Sequence, residues 1–243
     1  MADIRDNQIT AGTAGIFVGD TGVTGNSARL TRDITIANNT LIARVAGQGT
    51  GIAIGGTSAA GGADVTDHLA ISGTVENAAA SFKDGVVIGN IGASGAGSAL
   101  TRDLSVSTNT IKAADRGIAL GTLTAQAGAE IIDTVSIDRN VATTLGSSIS
   151  YGAALSDGRI SAAEDAVGSK LTRRLAITDN ELSGPAATSA AVTTATIAAS
   201  AGGRADDRID VLRNTIVSAG DGVVVGGKSA SGRKSGVLHT ATV

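Results

Sequence analysis

Apolar residues recur along this chain in two spacings that return in a fixed order. An apolar-x-apolar pair reads Ile34-x-Ile36, Leu69-x-Ile71, Leu104-x-Val106, Val135-x-Ile137, Leu175-x-Ile177 and Ile209-x-Val211, with Ile4 as the remnant of an earlier copy. Alternation with period two marks a strand with one buried face. Three residues after each pair stands Asn7, Asn39, Thr74, Asn109, Asn140, Asn180 or Asn214, usually followed two residues later by an apolar residue such as Ile9, Leu41, Ile111, Leu182 or Ile216. That predicts a turn into a second short strand. A third strand is expected where small residues flank an apolar-x-apolar core: Gly15 to Gly19, Gly51 to Gly55, Gly85 to Gly89, Gly117 to Gly121, Ser148 to Gly152, Ala191 to Ala195 and Gly222 to Gly226.

The last residue of the pair falls at positions 4, 36, 71, 106, 137, 177, 211 and 243, at intervals of 32, 35, 35, 31, 40, 34 and 32. Three strands per period, each too short to stand alone, must stack on their own copies in neighbouring periods. The expected fold is an all-β, three-sided parallel solenoid of about seven coils with about 4.8 Å between rungs. The unequal periods place insertions between the glycine-flanked strand and the next pair, so Ser58 to Gly62 and Gly92 to Ser98 read as loops. The longest insertion contains Ser161-Ala-Ala-Glu164, a capping-box pattern expected to open a one- or two-turn helix before Gly168. Residues 1–243 read as a single domain, with excision from a longer solenoid as the alternative. Ala2-Asp3-Ile4 and Ala241-Thr242-Val243 both fill the slot of Ile34-Thr35-Ile36, and no capping element is encoded at either end, so end-to-end self-association is expected.

Val106-Ser-Thr-Asn109-Thr-Ile111 and Gly117-Ile118-Ala-Leu120-Gly121 resemble the coils of the right-handed parallel β-helix repeats of the pectin-lyase-like superfamily, and the likeness runs through the whole chain. The resemblance implies a right-handed parallel β-helix. It also implies an inward ladder of Asn7, Asn39, Asn109, Asn140, Asn180 and Asn214, whose side-chain amides bond to neighbouring copies and to turn backbone. It names no activity, because that superfamily holds lyases, hydrolases, epimerases, phage tailspikes, adhesins and structural segments on one scaffold.

Composition narrows the partners. With two Phe, one Tyr and no Trp, the core must be built from small, β-branched contacts, and the single proline, Pro185, separates this glycine content from a collagen-like one. The net charge of −3 comes without a basic cluster, which argues against nucleic acid. No apolar stretch approaches bilayer length, so membrane insertion is not expected, and the absence of cysteine removes disulfides and thiolate metal sites. Polar residues follow Met1 at once, so no secretory signal is read. Compartment stays open, with a bacterial secreted or surface protein favoured.

Two residues before each apolar pair runs a column of alternating sign: Arg32, Asp67, Arg102, Asp133, Arg173, Asp207 and, last, His239. A bend is expected just before it, so the strand period does not fix which way these side chains point. Read as solvent-exposed, the column selects register at about 0.2–1 kcal/mol per pair, and a sign reversal at Asp133 would cost roughly 1–2 kcal/mol, relieved by salt.

One place further on, Asp33, His68 and Asp103 share a column, an arrangement suited to acid–base chemistry or weak divalent binding. They are the candidate catalytic residues. Asp67-His68 is also similar to the Asp and His of alginate-epimerase relatives, without their neighbouring aromatic and proline. Gly222-Val-Val-Val-Gly-Gly227-Lys228-Ser229 matches a phosphate-loop pattern, but its centre is a repeat strand with no helix expected after it. Gly61-Gly62-Ala63-Asp64 lacks the tandem copies of a calcium nonapeptide. The outward centres of the glycine-flanked strand, Phe17, Ala53, Val87, Ala119, Ser150, Thr193 and Val224, offer no acid, base or metal ligand. The reading is therefore a structural or interaction rod without a cofactor. A polysaccharide lyase or epimerase is the alternative, as is a module that binds glycan or protein through its insertion loops.

Overall fold

The period-two alternation produces strands longer than the apolar pairs alone suggest. A computed structural model describes residues 1–76, 81–144, 148–151, 159–162, 168–184, 190–200, 202–231 and 235–243. It shows an all-β parallel solenoid, with no helix among those residues. The apolar pairs lie in one eight-stranded sheet. Its six inner strands, each of nine residues, are Arg29–Ala37, Asp64–Ser72, Ala99–Ser107, Glu130–Asp138, Lys170–Thr178 and Arg204–Leu212, and Ala2–Arg5 and Gly236–Thr242 form its edges. Register is unbroken through Ile34, Leu69, Leu104, Val135, Leu175 and Ile209.

The strands after the asparagine turn and the glycine-flanked strands belong to a second, thirteen-stranded sheet, joined through the eleven-residue strand Thr110–Leu120. The third sheet has seven strands, among them Thr57–Ala60 and Ile91–Ser94. Those two strands correct the expectation of loops at Ser58 to Gly62 and Gly92 to Ser98. Glycine, alanine and serine read as loop in isolation, yet here Ala59, Ala93 and Ala125 alternate inward against outward Ser58, Gly92 and Thr124. The alternation is the strand pattern written in small residues, and parallel neighbours in adjacent coils supply its backbone partners. Of the segment expected to be helical, Ser161 and Ala162 belong to strand Arg159–Ala162, and residues 163–167 lie outside the described residues.

The core is one continuous cluster of Ile, Leu, Val and Ala that runs the length of the coils, with Phe82 and Tyr151 as its aromatic members. Glycine is demanded at one column by close approach. A Cβ on Gly15, Gly51, Gly85 or Gly117 would lie 2.6, 2.9, 2.6 or 2.5 Å from the carbonyl oxygen of the next rung. The asparagine column also has a geometric companion. The residue before it is left-handed in each coil, at Asp6, Asn38, Gly73, Thr108, Arg139, Asp179 and Arg213, with φ from 51° to 59°. That turn aims the following side chain inward. The backbone N–H and Nδ2 of Asn109 both donate to Asn140 Oδ1 (3.0 and 2.9 Å), Asn140 repeats this on Asn180, and Asn180 on Asn214. Asn7 does the same to Asn39. Thr74 interrupts the ladder; its N–H still donates to Asn109 Oδ1 (3.0 Å), but it offers no amide to Asn39.

Candidate functional site

The long-strand sheet positions both charge columns, and parity decides which faces water. Arg32 shares parity with Ile34 and Ile36, and the strand runs straight back to Arg29 without the expected bend. The alternating column therefore lies inside the solenoid. Asp67, Asp133, Arg173 and Asp207 are fully buried and Arg102 nearly so, which settles the direction the strand period left open and removes the small energies that solvent exposure would give.

The interior ladder is built of close pairs. Arg32 Nε and Nη2 donate to the two oxygens of Asp67 at 2.8 and 2.6 Å, and Arg102 binds Asp133 in the same two-pronged way at 2.7 and 2.9 Å. Arg173 binds Asp207 at 2.6 Å through each prong, and His239 Nδ1 reaches Asp207 Oδ2 at 2.7 Å. Bidentate geometry of this kind makes the strongest protein ion pairs. Tyr151 projects from the second sheet into the middle of the column. Its hydroxyl donates to Asp133, and the Arg173 guanidinium lies 4.8 Å over its ring. Burial opposes the charge of Arg102, yet Asp133, Tyr151 and the neighbouring Asp67 outweigh it and raise the pKa. Burial, with Asp133 beside it, pushes the Tyr151 hydroxyl well above its ordinary value. The column is buried and its charges pair from rung to rung, with Arg173 Nη1 left without a hydrogen-bond partner among the described residues.

Asp33, His68 and Asp103 have the opposite parity and face outward on three adjacent rungs, with His68 paired in register to Asp33 on one side and Asp103 on the other. They line a shallow depression of about 230 Å³ together with Thr35, Ala70 and Ser105. No hydrogen bond or ion pair joins the three, and among the described residues no group of His, Asp or Glu is arranged to hold a metal. The chemistry available there is that of separate, solvated acid and base groups.

The glycine-flanked face is less uniform than its sequence. Phe17 stands 72% exposed at one end, whereas Ala119 and Ser150 are buried. The phosphate-loop match resolves into strand Val223–Val224 and strand Lys228–Ser231, without the helix that phosphate binding by such a loop requires. One unusual group escaped the sequence reading. Glu76 occupies the inward column of Leu41 and Ile111, where it is 4% exposed and neither carboxyl oxygen makes a hydrogen bond of ordinary geometry. Burial pushes its pKa up to about 8, with the backbone of Lys112 pulling slightly the other way. Its signal in the sequence was the one acid in an otherwise apolar column, in the same coil where Thr74 replaces asparagine.

No family model, curated protein or solved structure matches this chain.

Proposed function

We propose that this chain is a structural or interaction rod, related to the pectin-lyase-like β-helices and drawn from a bacterial surface, secreted or filament-forming protein. Its terminal rungs stack on those of another copy. The observation that carries this is the state of the two end rungs. Strand Ala2–Arg5 pairs on one side only, as does Gly236–Thr242, and Ala2, Ile4, Ile9, Ile216, Val223 and Val237 are only partly buried against the core. Unpaired strand edges above half-covered apolar rungs recruit further strands. Because the two ends differ, the contact is heterologous and propagates. Sedimentation at rising concentration is expected to give an open-ended series, stopped by a lysine at either Ile4 or Val237. A strict monomer at millimolar protein would overturn the reading.

A second reading rests on the depression at Asp33, His68 and Asp103, whose in-register acid–base–acid order suits proton transfer at a uronate carbon in a lyase or epimerase. Turnover of pectate or alginate, with and without calcium, that is lost in His68→Ala would establish it. Intact polymers after prolonged incubation would remove it.

A further inference from the structure

On the outer face of the long-strand sheet the charges are sorted along the axis. The first and fifth positions of the nine-residue strands carry Asp33, Asp64, Asp103 and Glu130, with Arg29 and His68 among them, on the earlier rungs, and Lys170, Arg174, Arg204 and Arg208 on the later ones. The reversal falls between the strands Glu130–Asp138 and Lys170–Thr178. Partial neutralisation leaves the polarity in place. Arg29 reaches Asp64 at 3.6 Å, Arg174 holds Asp206 at 2.8 Å and Arg208 holds Asp210 at 2.9 Å. Asp33, Asp103 and Glu130 make no ion pair among the described residues, and neither do Lys170 and Arg204. Between these charges the face presents the short side chains Thr66, Ala70, Thr101, Ser105, Ser136, Thr172 and Ala176, together with Ile132, which stands 39% exposed, and with Asp206 and Asp210. At the basic end Leu238 stands 64% exposed beside a groove of about 500 Å³ shared with Lys170 and Arg204.

We propose that this face docks laterally against the same face of a second copy, with the two rods antiparallel. A two-fold axis along the strand direction, between the rungs of Glu130 and Lys170, keeps each column over itself and inverts the rung order. Glu130 then lies over Lys170 of the second copy and Asp103 over Arg208, with Ile132 over Thr172 and Ser136 over Ala176 between them. A parallel arrangement reverses the strand direction and sets the fifth-position column on itself, acid on acid at Asp103 and base on base at Arg174 and Arg208. The axis overlaps the six rungs from Asp64–Ser72 to Gly236–Thr242; nine residues at about 3.3 Å and five rung spacings at about 4.8 Å give a shared face of roughly 700 Å² on each copy, within the range of a specific dimer. Flat faces of short side chains favour sheet-on-sheet contact, and complementary charge fixes direction and register. The contact is closed, since the same patch serves both copies, and it is independent of the end-to-end stacking proposed above.

Charge reversal tests the proposal. One variant carries Asp103→Arg with Glu130→Lys, the other Lys170→Glu with Arg208→Asp; all four side chains lie on the outer face, and circular dichroism checks that each variant folds. With the end contact blocked by Ile4→Lys in every chain compared, the chain at low salt is expected to sediment with a discrete two-chain species that weakens at least tenfold by 0.5 M salt. Each variant alone is expected to lose it, and an equimolar mixture of the two is expected to regain it as a heterodimer. Three results would overturn the proposal: no two-chain species at low salt, association unaltered by the reversals, or a mixture that fails to pair. Without Ile4→Lys, an open-ended series indifferent to the reversals would leave the end contact standing and remove this one.

Discussion

Replacing Asp133 by asparagine probes the interior ladder with almost no change of shape. Asp133 accepts both prongs of Arg102 and the Tyr151 hydroxyl, and it stands in register with Arg173 on the following rung. The substitution removes one negative charge from a fully buried column and leaves the Arg102 and Arg173 guanidiniums without it. Removing one partner of a buried ion pair costs about 3–5 kcal/mol, because the remaining charge keeps its desolvation penalty and loses its compensation. Screening acts on charges in reach of mobile ions, so this loss is expected to persist in 1 M salt. Replacing the pair together, Arg102→Met with Asp133→Leu, is expected to cost far less than the single change, since it removes the unpaired charge along with its partner. Urea titration at 0.05 and 1 M salt, followed by circular dichroism, gives the comparison. A loss below about 1 kcal/mol that vanishes in high salt would be the behaviour of exposed pairs and would refute an interior column.

Glu76 gives a pH signature. Its carboxyl is protonated up to about pH 8 in the fold and ionises near 4.5 once exposed, so unfolding releases a proton between those values and stability falls as pH rises through them. At about 1.4 kcal/mol per pKa unit the loss is roughly 4–5 kcal/mol. Measured as the difference between the original chain and Glu76→Leu, this dependence is expected to appear between pH 4.5 and 8, and parallel stability curves would refute it. Thr108 is β-branched in a left-handed turn at φ 55°, so Thr108→Gly is expected to raise stability by about 1 kcal/mol. A lower melting temperature for that variant would show that its Oγ1 bond to Ser107 matters more than the strain.

The solenoid was legible because its cause is repeated. Six copies of one apolar alternation and six of one asparagine turn outvote any local ambiguity. What the repeat could not give was direction where a bend had been assumed. Arg32 was placed correctly in its column with its direction left open, because a charged residue seldom enters a core unless its partner comes too, and that partner is 35 residues away. The third sheet escaped because alanine, glycine and serine carry a weak alternation whose meaning appears only when neighbouring rungs are stacked. His68 and its two aspartates were brought to one face as their column implied, but adjacency on a strand ladder did not become hydrogen bonding. Tyr151 could not be foreseen, since it reaches the charge column from a different sheet, as the Thr57 hydroxyl does at Asp67 in an earlier coil.

The sealed column of alternating sign also sets a counting rule for how such a chain can lengthen or shorten. Deleting the single coil that carries Asp133 would bring Arg102 onto Arg173 in the interior, and duplicating it would set aspartate on aspartate. Losing or gaining two adjacent coils restores opposite neighbours. Although each turn looks like an interchangeable unit, the doublet is what preserves the alternation, and loss or gain of coils in even steps is expected to cost less stability than in odd steps.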